Sequence, residues 1–216
     1  MLKIHTIMTT VMSLLLVGTV NANAIDDDIS YLQKEWAIIN YETVEDNRED
    51  KFYVLAKKAK EIVEKHPDRA EPLIWEGIIL STYAGAKGGL GALGLIKEAR
   101  NRLLDAEKIN PNALNGSIYT SLGSLYYQAP GWPISFGSND DAKLYLKRAL
   151  EINPNGIDPN YFYGDFLIEQ RKYKEAIVVL EKALKAPSRP NRLIADTGRK
   201  VEINEKILLV KKVLNK

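Results

Sequence analysis

Apolar residues recur at spacings of three and four along most of the chain and never alternate at spacing two for long, so the pattern is helical almost throughout. Leu32, Trp36 and Ile39 mark the buried side of a first helix running from Asp26 to about Val44. Asp26, Asp27 and Asp28 stand at its start, where negative charge favours the positive end of the helix dipole. A second helix opens at Asp46 and ends near His66, stopped by Pro67. Glu71-Pro72 opens a third, since proline is tolerated in a first turn, and Ile74, Gly77, Ile78 and Ser81 form its small and apolar stripe. Asn112 to Gln128 carries Tyr119, Leu122, Leu125 and Tyr126 on one side. The last helix, from about Ala195 to Leu214, offers Val201, Ile207, Leu208 and Val210 for packing and turns Lys and Glu outward. No strand pattern interrupts the series, and the expected fold class is all-α.

The pattern is also periodic at a longer scale. Gly164 is followed by Ala176, Leu180, Ala183 and a closing Pro187, one helical hairpin turning at Arg171-Lys172. Ala99, Leu103, Ala106 and Pro111 repeat the second half of that unit, as do Ala142, Leu146, Ala149 and Pro154. Gly77 and Gly123 stand upstream as the matching glycines, and Leu55 to Pro67 is a more eroded copy. Closing prolines at 67, 111, 154 and 187 give steps of 44, 43 and 33 residues. The residues at these places (Gly77, Ala99, Ala106, Gly123, Ala142, Ala149, Gly164, Ala176, Ala183) are expected to be small because two helices touch there.

A helix–turn–helix unit of this length with Gly, Ala, Ala and Pro so placed resembles the tetratricopeptide repeat, from about Tyr53 to Pro187. The resemblance implies a superhelical array of αα-hairpins ended by a capping helix. Two units depart from it. Gly77 to Ala99 is 22 residues and Gly123 to Ala142 is 19, against 12 in the last unit, so insertions of ten and seven residues are expected between the paired helices. LYYQAPGWPISFG, the Gly-rich insertion and the RP…ADTGRKVEI tail are also similar to the T-components of bacterial tripartite (TRAP-type) transporters.

Ahead of the repeats, residues 1–24 have the layout of a secretory signal: Lys3, an apolar run from Ile7 to Val20, and Ala22-Asn23-Ala24 as a small-residue cleavage pattern. Thr9, Thr10, Ser13 and Thr19 weaken that run as a membrane anchor. The expected division is therefore signal peptide 1–24, repeat domain 25–187, and link plus capping helix 188–216, with a periplasmic location and no membrane span after cleavage. The chain has no cysteine, so it lacks the residue a lipid anchor needs and the disulfides common in exported proteins. That also excludes thiolate metal sites and cysteine catalysis. The processed chain would have 192 residues and 29 basic against 28 acidic side chains, a balance that predicts no nucleic-acid stripe.

The signals for chemistry are weak. Gly89-Leu90-Gly91-Ala92-Leu93-Gly94 is a literal G-x-G-x-x-G, but it follows a helix and not a strand, so it lacks the setting in which that motif cradles a dinucleotide. It reads equally as a pliable turn or as an apolar lip beside a pocket. Pro130 to Gly137 is a loop, since two prolines and two glycines forbid a helix there, and Ser138 with Asp141 has the form of a capping box. Trp132 and Phe136 either plug the gap between repeats or line a cavity. His66 is the one histidine after the signal segment, placed to face a helix C-terminus, and Asp196, Arg199 and Glu202 read as a surface or interhelical ion cluster. The expectation is that the protein is not an enzyme and needs no cofactor or metal.

By the resemblance, the first helix of each hairpin lines the concave surface, which assigns it Ile74 and Ile78, then Thr120, Ser124 and Tyr127, then Tyr161, Asp165 and Ile168. The positions that clamp a peptide carboxylate in chaperone-binding repeats hold Glu71, Ser117 and Asp158, which disfavours that role. With Leu90, Leu93, Trp132 and Phe136 at one end of this face, the expected ligand is an apolar small molecule, delivered to a transporter component; a scaffold for protein partners alone is the alternative. A homo-oligomer is compatible with either.

Overall fold

A glycine on the first helix faces a leucine on the second at Gly77–Leu103, Gly123–Leu146 and Gly164–Leu180, and that contact sets the helix spacing in those three hairpins. The computed structural model describes residues 8–215, with side chains from residue 24 onward. Its helices are α1 (Met8–Glu42), α2 (Arg48–Lys65), α3 (Ala70–Lys87), α4 (Ala92–Ile109), α5 (Ser117–Gln128), α6 (Asn139–Ile152), α7 (Ile157–Glu169), α8 (Tyr173–Leu184) and α9 (Leu193–Leu214). Among the described residues there is no strand, only an isolated bridge between Gly131 and Gly137. The fold is an all-α array of hairpins, α1–α2, α3–α4, α5–α6 and α7–α8, completed by α9.

In each repeated hairpin the second helix presents a small–large–small stripe. Ala99, Leu103 and Ala106, then Ala142, Leu146 and Ala149, then Ala176, Leu180 and Ala183 are all fully buried. The central leucine rests against the glycine of the first helix. A Cβ on Gly77 would lie 2.8 Å from Leu103 Cγ, one on Gly123 2.5 Å from Leu146 Cγ, and one on Gly164 2.7 Å from Leu180 Cγ. The glycines are thus required for close approach and not for an unusual backbone, since all three lie inside regular helix. In α2 the same register holds Leu55, Ala59 and Ile62, a large–small–large stripe, and residues 25–42 of α1 contain no glycine. The eroded copy therefore keeps the positions and inverts the sizes.

The insertion around Gly85 to Gly94 is a short turn between two lengthened helices. Helices α3 and α4 are each 18 residues long against 13 and 12 for α7 and α8, so the extra residues lengthen the hairpin and leave a turn of four, residues 88–91. Gly88 and Gly89 turn it at φ of 63° and 57°. The second insertion is a loop. Gly137 N–H donates to the Pro130 carbonyl and Ser138 N–H to that of Tyr126, pinning it to the end of α5, and Ser138 Oγ accepts from Asp141 N–H at 3.2 Å to start α6.

One boundary and one buried stripe differ from expectation. The helix expected to start at Asp26 begins at Met8, because nothing between those residues interrupts helical backbone. The expected signal segment 1–24 has residues 1–7 and the side chains of 8–23 outside the described residues. On α9 the buried stripe is Ala195, Arg199, Ile203, Ile207 and Val210, while Val201 and Leu208 are exposed. Arg199 holds an inward position on this helix, where ion pairs to Asp158 and Glu202 replace an apolar contact.

The packing makes a paired prediction. Gly123→Leu places a branched side chain where Leu146 already sits and is expected to destabilise by roughly 1–3 kcal/mol or more. Gly94→Ala, in a helix with open space around it, is expected to stabilise by about 0.5–1 kcal/mol. Thermal and urea unfolding of the two variants checks both signs.

A cavity closed by the last helix

The first helices α1, α3, α5 and α7 pack side by side, and α9 packs on α7 and α8 and also touches α1. The first and last elements therefore meet. A Cβ on Gly198 would overlap the Tyr41 ring, so α9 lies flat against that ring, and Ala195 joins the core formed by Trp36, Phe52 and Trp75. Helix α9 turns the concave face into a walled cavity of about 820 Å³.

One helical stripe of each inner helix faces it: Ile78, Ser81, Thr82 and Gly85 on α3; Ser117, Thr120, Ser121, Ser124 and Gln128 on α5; Asp158 and Phe162 on α7. Trp36, Asn40 and Tyr41 come from α1, Asn115, Asn153 and Asn155 from the turns, and Arg189 and Arg192 from the link before α9. The turn before α5 is made by Leu114, Asn115 and Gly116 in succession at φ of 49°, 52° and 79°. For Leu114 and Asn115 this left-handed backbone carries a local cost of order 1–3 kcal/mol each, which the packing of Leu114 against the two largest cores offsets.

Of the residues assigned to this face from sequence, Ile78, Thr120 and Ser124 line the cavity and the others lie elsewhere. Ile74 is fully buried in the core between the α3–α4 hairpin and α5. Tyr161 and Ile168 pack with the core around Leu180 and Ile203. Tyr127 O–H donates to Asp165 Oδ2 at 2.7 Å, and Lys206 of α9 lies 2.6 Å from Asp165 Oδ1, so these residues tie α5, α7 and α9 together. Burial, with the Asp165 charge beside it, raises the Tyr127 phenol well above its usual range. Apart from Ile78, the apolar members of the assigned stripe mark the face turned to neighbouring helices, one step around from the cavity.

The insertion residues do not reach it. Leu90 and Trp132 stand in solvent at 86% and 90% exposure, and Leu93 is partly buried on α4. Phe136 plugs the seam between hairpins, edge-on to Tyr126 at 5.3 Å with the Arg100 guanidinium 4.3 Å from its ring centre. His66, on the far side, lies 2.8 Å from Asp28 Oδ2, which Lys65 also approaches at 2.7 Å. The helix end is thus tied to α1 by an ion contact.

The cluster read as a surface or interhelical group is buried in the cavity wall. Asp196 and Arg199 are 4% and 7% exposed. Arg199 donates Nε to Asp158 Oδ1 at 3.0 Å and Nη1 to Glu202 Oε2 at 2.5 Å, over the rings of Tyr161 and Phe162. Arg189 donates Nε to Asp196 Oδ1 at 2.8 Å and Nη1 to Asp158 Oδ2 at 2.9 Å. Tyr41 O–H reaches Glu202 Oε2 at 3.4 Å. Burial works to raise the Asp158 carboxyl, but Arg199 and Arg189 outweigh it and hold it below its ordinary value. Glu202 goes the other way, raised chiefly by burial. Asp158, Arg189, Arg192, Trp36 and Trp75 were not assigned to the site from sequence; two arginines three apart in a proline-bounded link were the available signal for Arg189 and Arg192. Among the described residues no group of His, Asp and Glu is arranged to hold a metal, and no helix is long and apolar enough to cross a membrane.

Residues 134–191 match the tetratricopeptide repeat. The match spans α6, α7, α8 and their flanks, and so includes the α7–α8 hairpin, whose sequence carries no insertion. No curated protein matches the chain. Among solved structures, the chain is similar to a thermophilic tetratricopeptide protein of Thermus thermophilus, at 15% identity and a TM-score of 0.45, over 85% of this chain and 99% of that one. It is also similar to PilF of Pseudomonas aeruginosa, at 16% identity and a TM-score of 0.35, over 88% of this chain and 92% of that one. The resemblance to transporter T-components finds no support in these matches.

The ion network yields a pH prediction. A carboxyl held below its unfolded pKa stabilises the fold above that pKa and loses this contribution as pH falls through the folded value. Stability is therefore expected to drop as pH falls below about 3.8, the ordinary value for Asp158. Asp158→Asn should flatten that decline and cost stability at neutral pH, near the low end of the roughly 3–5 kcal/mol of a broken buried pair, because the Asp158 side chain is 28% exposed. Urea midpoints measured from pH 3 to 7 check both.

Proposed function

We propose that the protein is a binding protein without catalytic activity, whose recognition site is the cavity closed by α9. The tetratricopeptide fold suggests a protein–protein interaction scaffold, and the observation that carries this reading is the lining itself. Asn40, Asn115, Asn153, Asn155 and Gln128 bring side-chain amides to the cavity, while Trp36, Trp75 and Phe162 supply aromatic surface. Amides both donate and accept, which matches a peptide backbone. An occupant with polar groups along its length and one apolar part fits best, and a segment of a partner polypeptide has that composition. A wholly apolar solute fits less well, because it would strip water from these amides and hydroxyls without replacing their hydrogen bonds. The turn carrying Leu90 and the loop carrying Trp132 then serve as outer surface and not as a mouth.

The location rests on the N-terminal sequence. A signal cleaved after Ala24 would place the protein in the periplasm, where a transport assembly is one partner its sequence suggests. Mass spectrometry of the periplasmic fraction is expected to find Ile25 as the N-terminal residue; full-length chain recovered in the inner membrane would refute export by this route.

Recognition is tested by panning a random peptide library against the protein. Ser121→Trp fills the cavity from α5 and is expected to weaken peptide binding at least tenfold with a nearly unchanged melting temperature. Trp132→Ala, on the outer loop, is expected to leave binding intact. If no peptide binds and the neutral dye N-phenyl-1-naphthylamine does, the apolar-carrier reading replaces this one.

A further inference from the structure

Two hydrogen-bond donors in the cavity wall have no acceptor. Trp75 is 4% exposed and its indole Nε1 is buried without a hydrogen-bond partner. The Arg192 guanidinium lies over the same indole, 5.0 Å from its centre, and its Nε is likewise buried and unpartnered. Both residues line the cavity. Indole and guanidinium are donors only, so neither can satisfy the other. Leaving such groups unpaired is costly, more so where a charge is involved, and native proteins keep few of them.

The neighbouring carboxylates do not serve. Asp158, Asp196 and Glu202 are bonded to Arg189 and Arg199, and Arg192 forms no ion pair among the described residues. The side chain is held in place nonetheless: the ring fixes one face of the guanidinium, and the link between Pro187 and α9 is anchored by Arg189 N–H on Asp196. A positioned, partly desolvated guanidinium with an indole N–H beside it presents donors to a planar oxyanion, the geometry for which arginine is suited.

We infer that the cavity binds a ligand through a carboxylate group that accepts hydrogen bonds from Arg192 and Trp75, with the ligand's apolar part against Trp36 and Phe52. The inference rests on the cavity being the recognition site, and it narrows the ligand from a polar segment to one carrying a single negative charge. A monoanion suits the place better than a dianionic phosphate. Asp158 and Asp196 lie close enough to act on Arg192 electrostatically, and they repel two charges more than one. Burial and the Arg189 charge depress the Arg192 pKa, so an arriving anion relieves an arginine that is otherwise poorly solvated. The carboxylate can belong to a free organic acid or to the end of a polypeptide chain, and the two supply the same chemistry.

The test uses the whole chain labelled with nitrogen-15, in which the Trp75 indole resonance is assigned through Trp75→Phe. Phenylacetate stands for the free acid, acetyl-Ala-Ala-Phe for the chain end, and each is paired with its amide. The expected result is a saturable downfield shift of the Trp75 indole proton with at least one of the acids. The matching amide should bind at least tenfold more weakly, and Arg192→Gln should weaken the acid to the same degree. Arg192→Lys keeps the charge and loses the planar stack, and it is expected to recover only part of the affinity. Response to phenylacetate alone assigns the site to small organic acids; response to the peptide acid alone assigns it to chain ends. If acid and amide bind equally, the carboxylate inference falls while the cavity remains the recognition site. A shift produced by inorganic phosphate and not by the acids overturns it, and so does no shift at Trp75 from either acid at 20-fold excess over a peptide that the protein is shown to bind.

Discussion

A leucine side chain resting where a facing glycine has none is the constraint on which the array depends. At Gly77–Leu103, Gly123–Leu146 and Gly164–Leu180 the two helices of a hairpin approach until a single added carbon would collide. That approach buries the flanking alanines completely and fixes the register of each pair. It also fixes which stripe of the first helix is left over. Once Gly77 faces α4, Ser81, Thr82 and Gly85 turn toward the cavity, and the same rotation on α5 delivers Thr120, Ser121 and Ser124. The polar lining is therefore a consequence of where the glycines sit.

Charge is handled differently on the two sides of the wall. On the outer surface, pairs such as Lys58–Glu61 and Arg148–Glu151 are exposed and of small energetic weight. In the cavity wall, Arg189 and Arg199 are each held by two carboxylates, and aromatic rings lie under Arg199. Burying these groups stabilises little by itself, since desolvation offsets much of the attraction. What the network supplies is position: it fastens the link and the start of α9 to α7, which sets where the cavity ends.

The fold was largely legible in the sequence because its signals are local. Helical spacing, the Gly–Ala–Leu–Ala–Pro unit and the Ser138 cap each depend on residues within one hairpin. The site was less legible because it is made between hairpins. Ile74, Tyr127 and Tyr161 look like lining residues when a helix is read alone, yet neighbouring helices cover them. Glycine is a poor helix former, so the extent of helix around the turn at residues 88–91 is hidden in the sequence: Gly85 ends up inside α3 and Gly94 inside α4. Nothing within the last helix announces that Gly198 must be small, since the ring it accommodates lies more than 150 residues earlier, at Tyr41.

That last contact changes how the molecule should come apart. A solenoid whose units touch only their neighbours has free ends, and its stability is close to a sum of unit and nearest-neighbour terms, with fraying from either terminus. Here the Tyr41–Gly198 seam and the α1–α9 packing join the ends into a ring. Neither end can loosen without exposing the other, so the terminal helices share the protection of the middle ones. Closing the ring requires bringing together residues far apart in sequence, an entropic cost met before the seam forms. Protection against hydrogen exchange in such a molecule would be lost in one cooperative unit, α1 together with α9, in place of the graded profile of an open array.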